Sequence, residues 1–116
     1  MYNDLFCKLF INTEKPVEEV LDIICLILKG EIQPIRAIKT KETEFDLRIN
    51  KEFDLEKSKR EEDGFLYWMY YLDIEPTDCE ESDYIKVVYN LIAELKKQGI
   101  ASIAACDFAD KLDTNN

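Results

Sequence analysis

The run GFLYWMYYLDIE, from Gly64 to Glu75, constrains the fold most, because it is apolar on both of the faces that an extended strand would present. One set of alternate positions ends in aliphatic side chains and is assigned to the core: Leu66, Trp68, Tyr70, Leu72 and Ile74. The other set points to the opposite face of the sheet: Phe65, Tyr67, Met69, Tyr71 and Asp73. We therefore expect a long central strand that Pro76 ends.

Three other segments have the pattern of a strand. Residues 43–50 alternate apolar with polar side chains, so one face of this strand should be buried and the other wet. Residues 100–106, IASIAAC, predict a strand of small side chains. Residues 4–11 also alternate, with these apolar side chains on one face: Leu5, Cys7, Leu9 and Ile11.

The segments between these strands are less regular. The chain after Glu31 reads as extended, and Pro34 favours an edge strand or an irregular one. Residues 39–42 are expected to turn a hairpin into the next strand. Residues 51–63 mix charges densely and have little to bury, so they are expected to form a mobile surface loop.

Two helices follow from apolar positions spaced three and four residues apart. The first is stopped by Gly30 and carries Val17, Val20, Leu21, Ile24 and Leu28. The second begins between Thr77 and Ser82, is stopped by Gly99, and carries Ile85, Val88, Leu91, Ile92 and Leu95. Each helix has one apolar face to bury against the sheet.

The predicted order is therefore β-α-β-β-β-α-β. This order indicates one α+β domain over residues 1–112, followed by a disordered tail, residues 113–116. We expect a two-layer sandwich in which two helices cover one face of a mostly antiparallel sheet, related to the ferredoxin-like plan.

The charge of the chain is strongly negative and unevenly placed. The formal net charge is −10, and residues 40–83 alone hold 15 acids and 6 bases. Glu61 to Asp83 contain nine acids and no base. Such a field repels nucleic acid and anionic membranes and attracts basic protein surfaces or cations. No apolar run approaches the roughly 20 residues of a membrane span, and we expect a cytoplasmic protein.

Several kinds of chemistry have no residues to support them. The chain has no histidine, which excludes Ser-His and Cys-His nucleophiles and histidine metal sites. It also lacks the glycine-rich phosphate-binding motifs. Its four cysteines form no C-x-x-C pair and are expected to be buried free thiols: Cys7, Cys25, Cys79 and Cys106. We therefore expect no enzyme activity, no cofactor and no metal.

Carboxylates should gather at one edge of the sheet, because the second helix crosses back between the last two predicted strands and leaves their carboxyl ends together. These residues are Asp73, Glu75, Asp78, Glu80, Glu81, Asp83, Asp107 and Asp110. They could meet a basic partner or hold a divalent cation. The residues from 78 to 83 could instead complement the positive end of the helix, at about 0.3–1 kcal/mol each.

Aromatic side chains should also gather on the outer face of the sheet, away from the helices: Phe6, Phe10, Tyr67, Met69 and Tyr71. Exposed aromatic patches usually mark contacts between proteins. Alternatively, residues 51–63 could fold over this patch and plug it with Phe53 and Leu55, or a second copy of the chain could cover it.

Three stretches together resemble a known group of proteins: GFLYWMYYLDIEP, YIKVVYNLIAELKKQGI and AACDFADKL, within residues 64–112. They resemble small acidic bacterial immunity proteins of polymorphic-toxin and contact-dependent growth inhibition systems. The resemblance implies binding to a cognate toxin domain, often a nuclease, and blocking of its site.

Charge and resemblance favour the same first hypothesis, an immunity-type protein that neutralises a basic toxin domain. Tyr67 and Tyr71 would anchor the toxin, and the acids from Asp73 to Asp83 together with Asp107 would attract it. The alternative is a regulatory, ferredoxin-like domain that binds a small ligand as a homodimer. Neither hypothesis involves nucleic acid or a membrane as the partner.

Overall fold

The computed structural model describes residues 4–112. Its strands are β1 (Cys7–Asn12), β2 (Glu31–Gln33), β3 (Ala37–Lys39), β4 (Thr43–Ile49), β5 (Tyr70–Pro76) and β6 (Ala101–Ala105). Its helices are α1 (Val17–Leu28), α2 (Leu55–Arg60) and α3 (Glu81–Lys97), and 3₁₀ turns cover Gly64–Tyr67 and Ala109–Leu112. Within the described range the strands form one six-stranded sheet, ordered β2-β3-β4-β5-β1-β6, and each neighbouring pair is antiparallel.

The predicted α+β class and antiparallel sheet are confirmed, and the arrangement is compatible with a two-layer sandwich. The order of elements differs from the predicted one in two places. The segment before β4 makes two short strands, because Pro34 lies in a turn in which Ile35 and Arg36 take left-handed backbone angles. Residues 51–63, predicted as a loop, contain α2. The ferredoxin-like relation stays a prediction, and the predicted tail, residues 113–116, lies outside the described residues.

The core lies between one face of the sheet and one stripe of each long helix. Leu9 lies opposite Leu72 on one side and Ala104 on the other, so alternate residues of β1, β5 and β6 share this face. Both leucines are fully buried. The helices contribute buried side chains at helical spacing: Val20, Leu21 and Ile24 from α1, and Tyr84, Val88, Leu91, Ile92 and Leu95 from α3.

Tyr84 joins α3 to the sheet. Its ring is fully buried and packs edge-on against Phe108, with the two centroids 5.6 Å apart. Its hydroxyl donates to the carbonyl oxygen of Leu5 at 2.6 Å and lies 3.2 Å from that of Ile74. Burial raises the pKa of Tyr84 far above its ordinary value, so the phenol keeps its proton. The predicted stripe of this helix began at Ile85 and missed Tyr84, although Tyr84 lies four residues before Val88 and seven before Leu91, on the same face.

The strand predicted from Gly64 to Glu75 is too long, since β5 begins only at Tyr70. The two neighbouring strands explain where β5 begins, because Tyr70 is the first residue that pairs with both β1 and β4. Before Tyr70 the backbone bonds to residues that follow β4: the carbonyl oxygens of Met69 and Tyr67 accept from Asn50 N, at 2.8 Å, and from Asp54 N, at 3.1 Å. The carboxamide of Asn50 also donates to the carbonyl oxygens of Leu66, at 3.0 Å, and Trp68, at 2.7 Å. Leu66, predicted in the core, is 41% exposed.

Residues 51–69, which we call the covering segment, fold over part of the outer sheet face, the face turned away from the core. Phe65 packs edge-on against Phe10, with centroids 5.4 Å apart. As a result Phe10 is only 6% exposed, although its side chain points away from the core. The alternative interpretation of the sequence offered Phe53 and Leu55 as plugs, but both side chains are exposed. The patch is therefore partly covered, and Phe65 is the residue that covers it.

We expect Tyr84→Phe to lower the free energy of unfolding by about 1–2 kcal/mol, because the carbonyl oxygen of Leu5 would lose its hydrogen-bond donor. Urea denaturation measures this change. Tyr89→Phe is the matched control, since Tyr89 lies on the same helix and is exposed. Equal stability of the Tyr84→Phe and native proteins would show that this hydroxyl does not hold α3 to the sheet.

Candidate functional site

One edge of the sheet collects the ends of several elements. Strands β5 and β6 both run antiparallel to β1, so both finish where β1 begins. Ile74 lies opposite Cys7, and Ala105 lies opposite Lys8. Only residues 77–80 separate β5 from α3, so the helix also begins at this edge. The grouping of carboxyl ends that was expected from the sequence is present.

The carboxylates at this edge form what we call the acidic edge: Glu42, Glu75, Asp78, Glu80, Glu81, Asp83, Asp107 and Asp110. Glu42 is the member that the sequence pattern missed. Its carbonyl oxygen accepts from Thr77 N at 2.9 Å and from Cys79 Sγ at 3.2 Å, which fixes the β3–β4 turn beside the segment before α3. No local pattern signals this contact, because the two segments are far apart in the chain.

The carboxylates of this edge affect the pKa of two cysteine thiols beside them. Burial raises the pKa of the Cys79 thiol, and nearby carboxylates, Glu42 foremost, raise it further. Burial also raises the pKa of the Cys106 thiol, and the carboxylate of Asp107 acts in the same direction. Both thiols therefore stay protonated, and the carboxylates create a negative potential at this edge.

The helix dipole explains only part of the acidic edge. Glu81 and Asp83 lie in the first turn of α3, where carboxylates interact favourably with the positive end of a helix. Glu80 precedes the helix, but its side chain makes no capping hydrogen bond. Glu75 and Asp107 lie on other elements. These three carboxylates need a different explanation.

A second group of carboxylates continues from the edge along the outer sheet face. The register of β4 and β5 sets Glu44 directly opposite Glu75, and Asp46 directly opposite Asp73. We call these four residues the acidic ladder. Like charges that face each other across two strands destabilise a sheet. Alternation predicted that Glu44 and Asp46 would face outward, but it could not predict which residues of β5 they face.

Basic side chains offset the ladder only in part. Arg48 Nε lies 3.6 Å from Asp73 Oδ2, but the arginine side chain is 53% exposed, so this ion pair contributes little. Lys8 lies opposite Asp73, and Lys39 lies opposite Glu44. The second carboxylate oxygen of Asp73, Oδ1, is shielded from solvent and accepts no hydrogen bond within the described part of the chain. The ladder therefore keeps uncompensated negative charge.

The two predicted aromatic anchors are separated in the structure. Tyr71 points to the outer face two residues before Asp73, and Lys8 Nζ lies 4.4 Å from its ring centroid. Tyr67 lies in a 3₁₀ turn of the covering segment, where Lys57 Nζ is 5.3 Å from its ring centroid. This turn lies beyond the end of β5 that is farther from the acidic edge. Tyr71 is thus beside the ladder, and Tyr67 is remote from it.

The remainder of the predicted aromatic patch is reduced. Met69 packs against the core instead of facing outward, and Phe6 is 36% exposed. A shallow depression remains between the covering segment and β1, lined by Lys8, Phe10, Asn50, Lys51, Glu52, Leu66 and Tyr71. Its lining thus combines two ammonium groups, one carboxylate and two aromatic rings.

Between residues 4 and 112, no group of three or more cysteine, aspartate or glutamate side chains is arranged to hold a metal ion. None of the helices found in that range is long and apolar enough to cross a membrane.

We expect Asp46→Asn to raise the free energy of unfolding by about 0.2–1 kcal/mol, because it removes the repulsion between Asp46 and Asp73. Urea denaturation at low ionic strength measures the gain, which should shrink as salt screens the charges. Glu62→Gln, at an exposed position of the covering segment, is the control and should change nothing. A loss of stability in Asp46→Asn would mean that the ladder is not repulsive.

Comparison of the chain with protein-family models, with curated proteins and with solved structures gives no match.

Proposed function

We propose that the chain is an immunity-type protein that binds a basic toxin domain through the acidic ladder and the acidic edge, and thereby blocks it. The observation that carries the proposal is the register of β4 and β5, which sets Glu44 against Glu75 and Asp46 against Asp73. Two like-charged pairs side by side weaken the isolated sheet. A cationic partner would relieve that repulsion, so the arrangement favours the complex over the free protein.

The two groups of carboxylates form one continuous surface, because Glu75 belongs to both. The net charge of −10 adds a long-range field of the same sign. Such a surface attracts basic proteins and accelerates their encounter with it. Tyr71, half-buried at the border of the ladder, supplies an aromatic side chain of the kind that slows dissociation. Tyr67 would be reached only by a partner that spans the length of the outer face.

The class of partner follows from charge together with the resemblance. Enzymes that act on nucleic acids hold phosphates with basic side chains, and an acidic surface competes for the same side chains. The resemblance to immunity proteins covers residues 64–112, which contain β5, α3 and β6, the elements that carry or flank most of the acidic edge. In this role the protein acts in the cytoplasm, uses no cofactor and catalyses no reaction, and neither nucleic acid nor a membrane is its partner.

A second candidate function is binding of a small ligand by a regulatory domain that is related to the ferredoxin-like plan and acts as a homodimer. The depression beside the covering segment favours it, because Lys8 and Lys51 lie there next to Phe10 and Tyr71. Ammonium groups beside aromatic rings suit a small anionic compound. Thermal stabilisation by such a compound, with no protein partner recovered, would favour this function over the first.

The proposal is tested by reversing the charge of one rung of the ladder, with Glu44→Lys and Glu75→Lys in one variant. The rung keeps two like charges facing each other, so its internal repulsion remains while its sign changes. The partner is first captured from native cells on the tagged protein and identified by mass spectrometry. Calorimetry at low salt should then show affinity weakened by about tenfold or more, which corresponds to at least about 1.4 kcal/mol of binding free energy.

The matched control is Glu61→Lys with Glu62→Lys. It makes the same change in net charge, but on exposed residues of the covering segment, away from the acidic edge. The control should keep most of the native affinity, and the difference between the two variants should shrink at high salt. Native affinity in the ladder variant, or equal losses in both variants, would refute binding through the ladder.

A further inference from the structure

The two edge strands of the sheet differ in their protection against pairing. Strand β2 has only three residues, begins with the charged Glu31 and is followed at once by Pro34. Short length, charge and proline are the usual devices that keep an edge strand from pairing with another chain. Strand β6 has five residues and contains neither a charged residue nor proline. Within the described residues it pairs with β1 alone, so its other side presents unpaired backbone groups.

The side chains of β6 leave this open side accessible. Ala101, Ile103 and Ala105 share the outer face and are all exposed, and Ile103 keeps 41% of its surface. Ile103 lies opposite Phe10 of β1, which the covering segment hides. The apolar part of the outer face therefore ends at Ile103, at the border of the sheet. Small side chains around it allow a further strand to approach closely.

We infer that β6 pairs antiparallel with β6 of a second copy of this chain, which joins the two sheets into one. The residues of β6 are arranged almost symmetrically about Ile103. An antiparallel pair centred there sets Ile103 against Ile103 of the second copy, and Ala101 against its Ala105. A two-fold contact needs such self-complementarity, because each residue meets the same patch that contains it. The facing isoleucines would bury the apolar border that each copy alone exposes.

Charge at the two ends of β6 favours the antiparallel direction. Lys96 and Lys97, in the last turn of α3, precede the strand, and Asp107 and Asp110 follow it. Lys97 also forms an exposed ion pair with Glu94 of the same turn, at 3.2 Å, which contributes little. Antiparallel pairing brings the basic end of each copy to the acidic end of the other. Parallel pairing would instead set two acidic edges side by side. In the antiparallel dimer those edges lie at opposite ends, and Asp107 and Asp110 are the members of each acidic edge that lie next to the second copy.

The test is the molar mass of the full chain in solution, measured by light scattering after size-exclusion chromatography over a range of concentrations. The native protein should have twice the mass of one chain. Ile103→Lys should weaken dimerisation by about tenfold or more, because two lysine charges would face each other in place of two isoleucines. Ile32→Lys is the matched control: Ile32 lies on the other edge strand, is 50% exposed, and its substitution should leave the dimer intact.

Circular dichroism establishes that each variant is folded. As a second measurement, the amides of β6 in the native protein should exchange with solvent more slowly as concentration rises, while those of β2 should not change. A native protein that stays monomeric at every concentration overturns the inference. So does a dimer that Ile103→Lys leaves intact, or a monomer whose β6 becomes protected only when another protein is added.

Discussion

Strand β1 determines where the other parts of the site lie, because it pairs antiparallel with β5 on one side and with β6 on the other. Both of these strands come from the second half of the chain, so neither acidic group exists until long-range pairing is complete. Tyr84 strengthens the same junction, since its hydroxyl bonds to Leu5 just before β1 and lies close to Ile74 of β5. The acidic edge thus results from the order of the strands.

Repulsion within the acidic ladder lowers the stability of the folded sheet that brings its carboxylates together. Cross-strand packing in the core requires Leu47 to face Leu72 and Phe45 to face Ile74. Because side chains alternate along a strand, the same register forces Asp46 against Asp73 on the other face. A shift of one residue would separate the carboxylates but would expose the core. Core packing therefore fixes which residues of the outer face lie opposite each other. Neutral side chains at these positions would raise the free energy of unfolding.

Local pattern predicted most of the fold and part of the site. Alternation identified the core faces of residues 4–11 and 43–47, and helical spacing located α1 and α3, because each of these patterns lies within one element. The prediction was wrong at the end of β4, where Ile49 is 50% exposed and Asn50 is buried. Tyr67 was predicted wrongly as a strand residue. The apolar run begins at Gly64, but pairing with β1 and β4 begins only at Tyr70. The contacts of Glu42 with Thr77 and Cys79, and the pairing of Asp46 with Asp73, each join two segments that are far apart in the chain. Patterns within one segment do not show which distant segment it meets.

The most direct test of the acidic surface is carboxylate footprinting, in which exposed side-chain carboxylates are coupled to an amine and counted by mass spectrometry, with and without the captured partner. A partner bound at the acidic surface should protect the ladder and the edge, above all Glu44 and Glu75, which are exposed in the free protein. Labelling of Glu18 and Glu62, exposed elsewhere, should stay unchanged. Protection of Glu18 or Glu62, with the ladder still labelled, would show that the partner binds elsewhere and would contradict binding through the ladder and the edge.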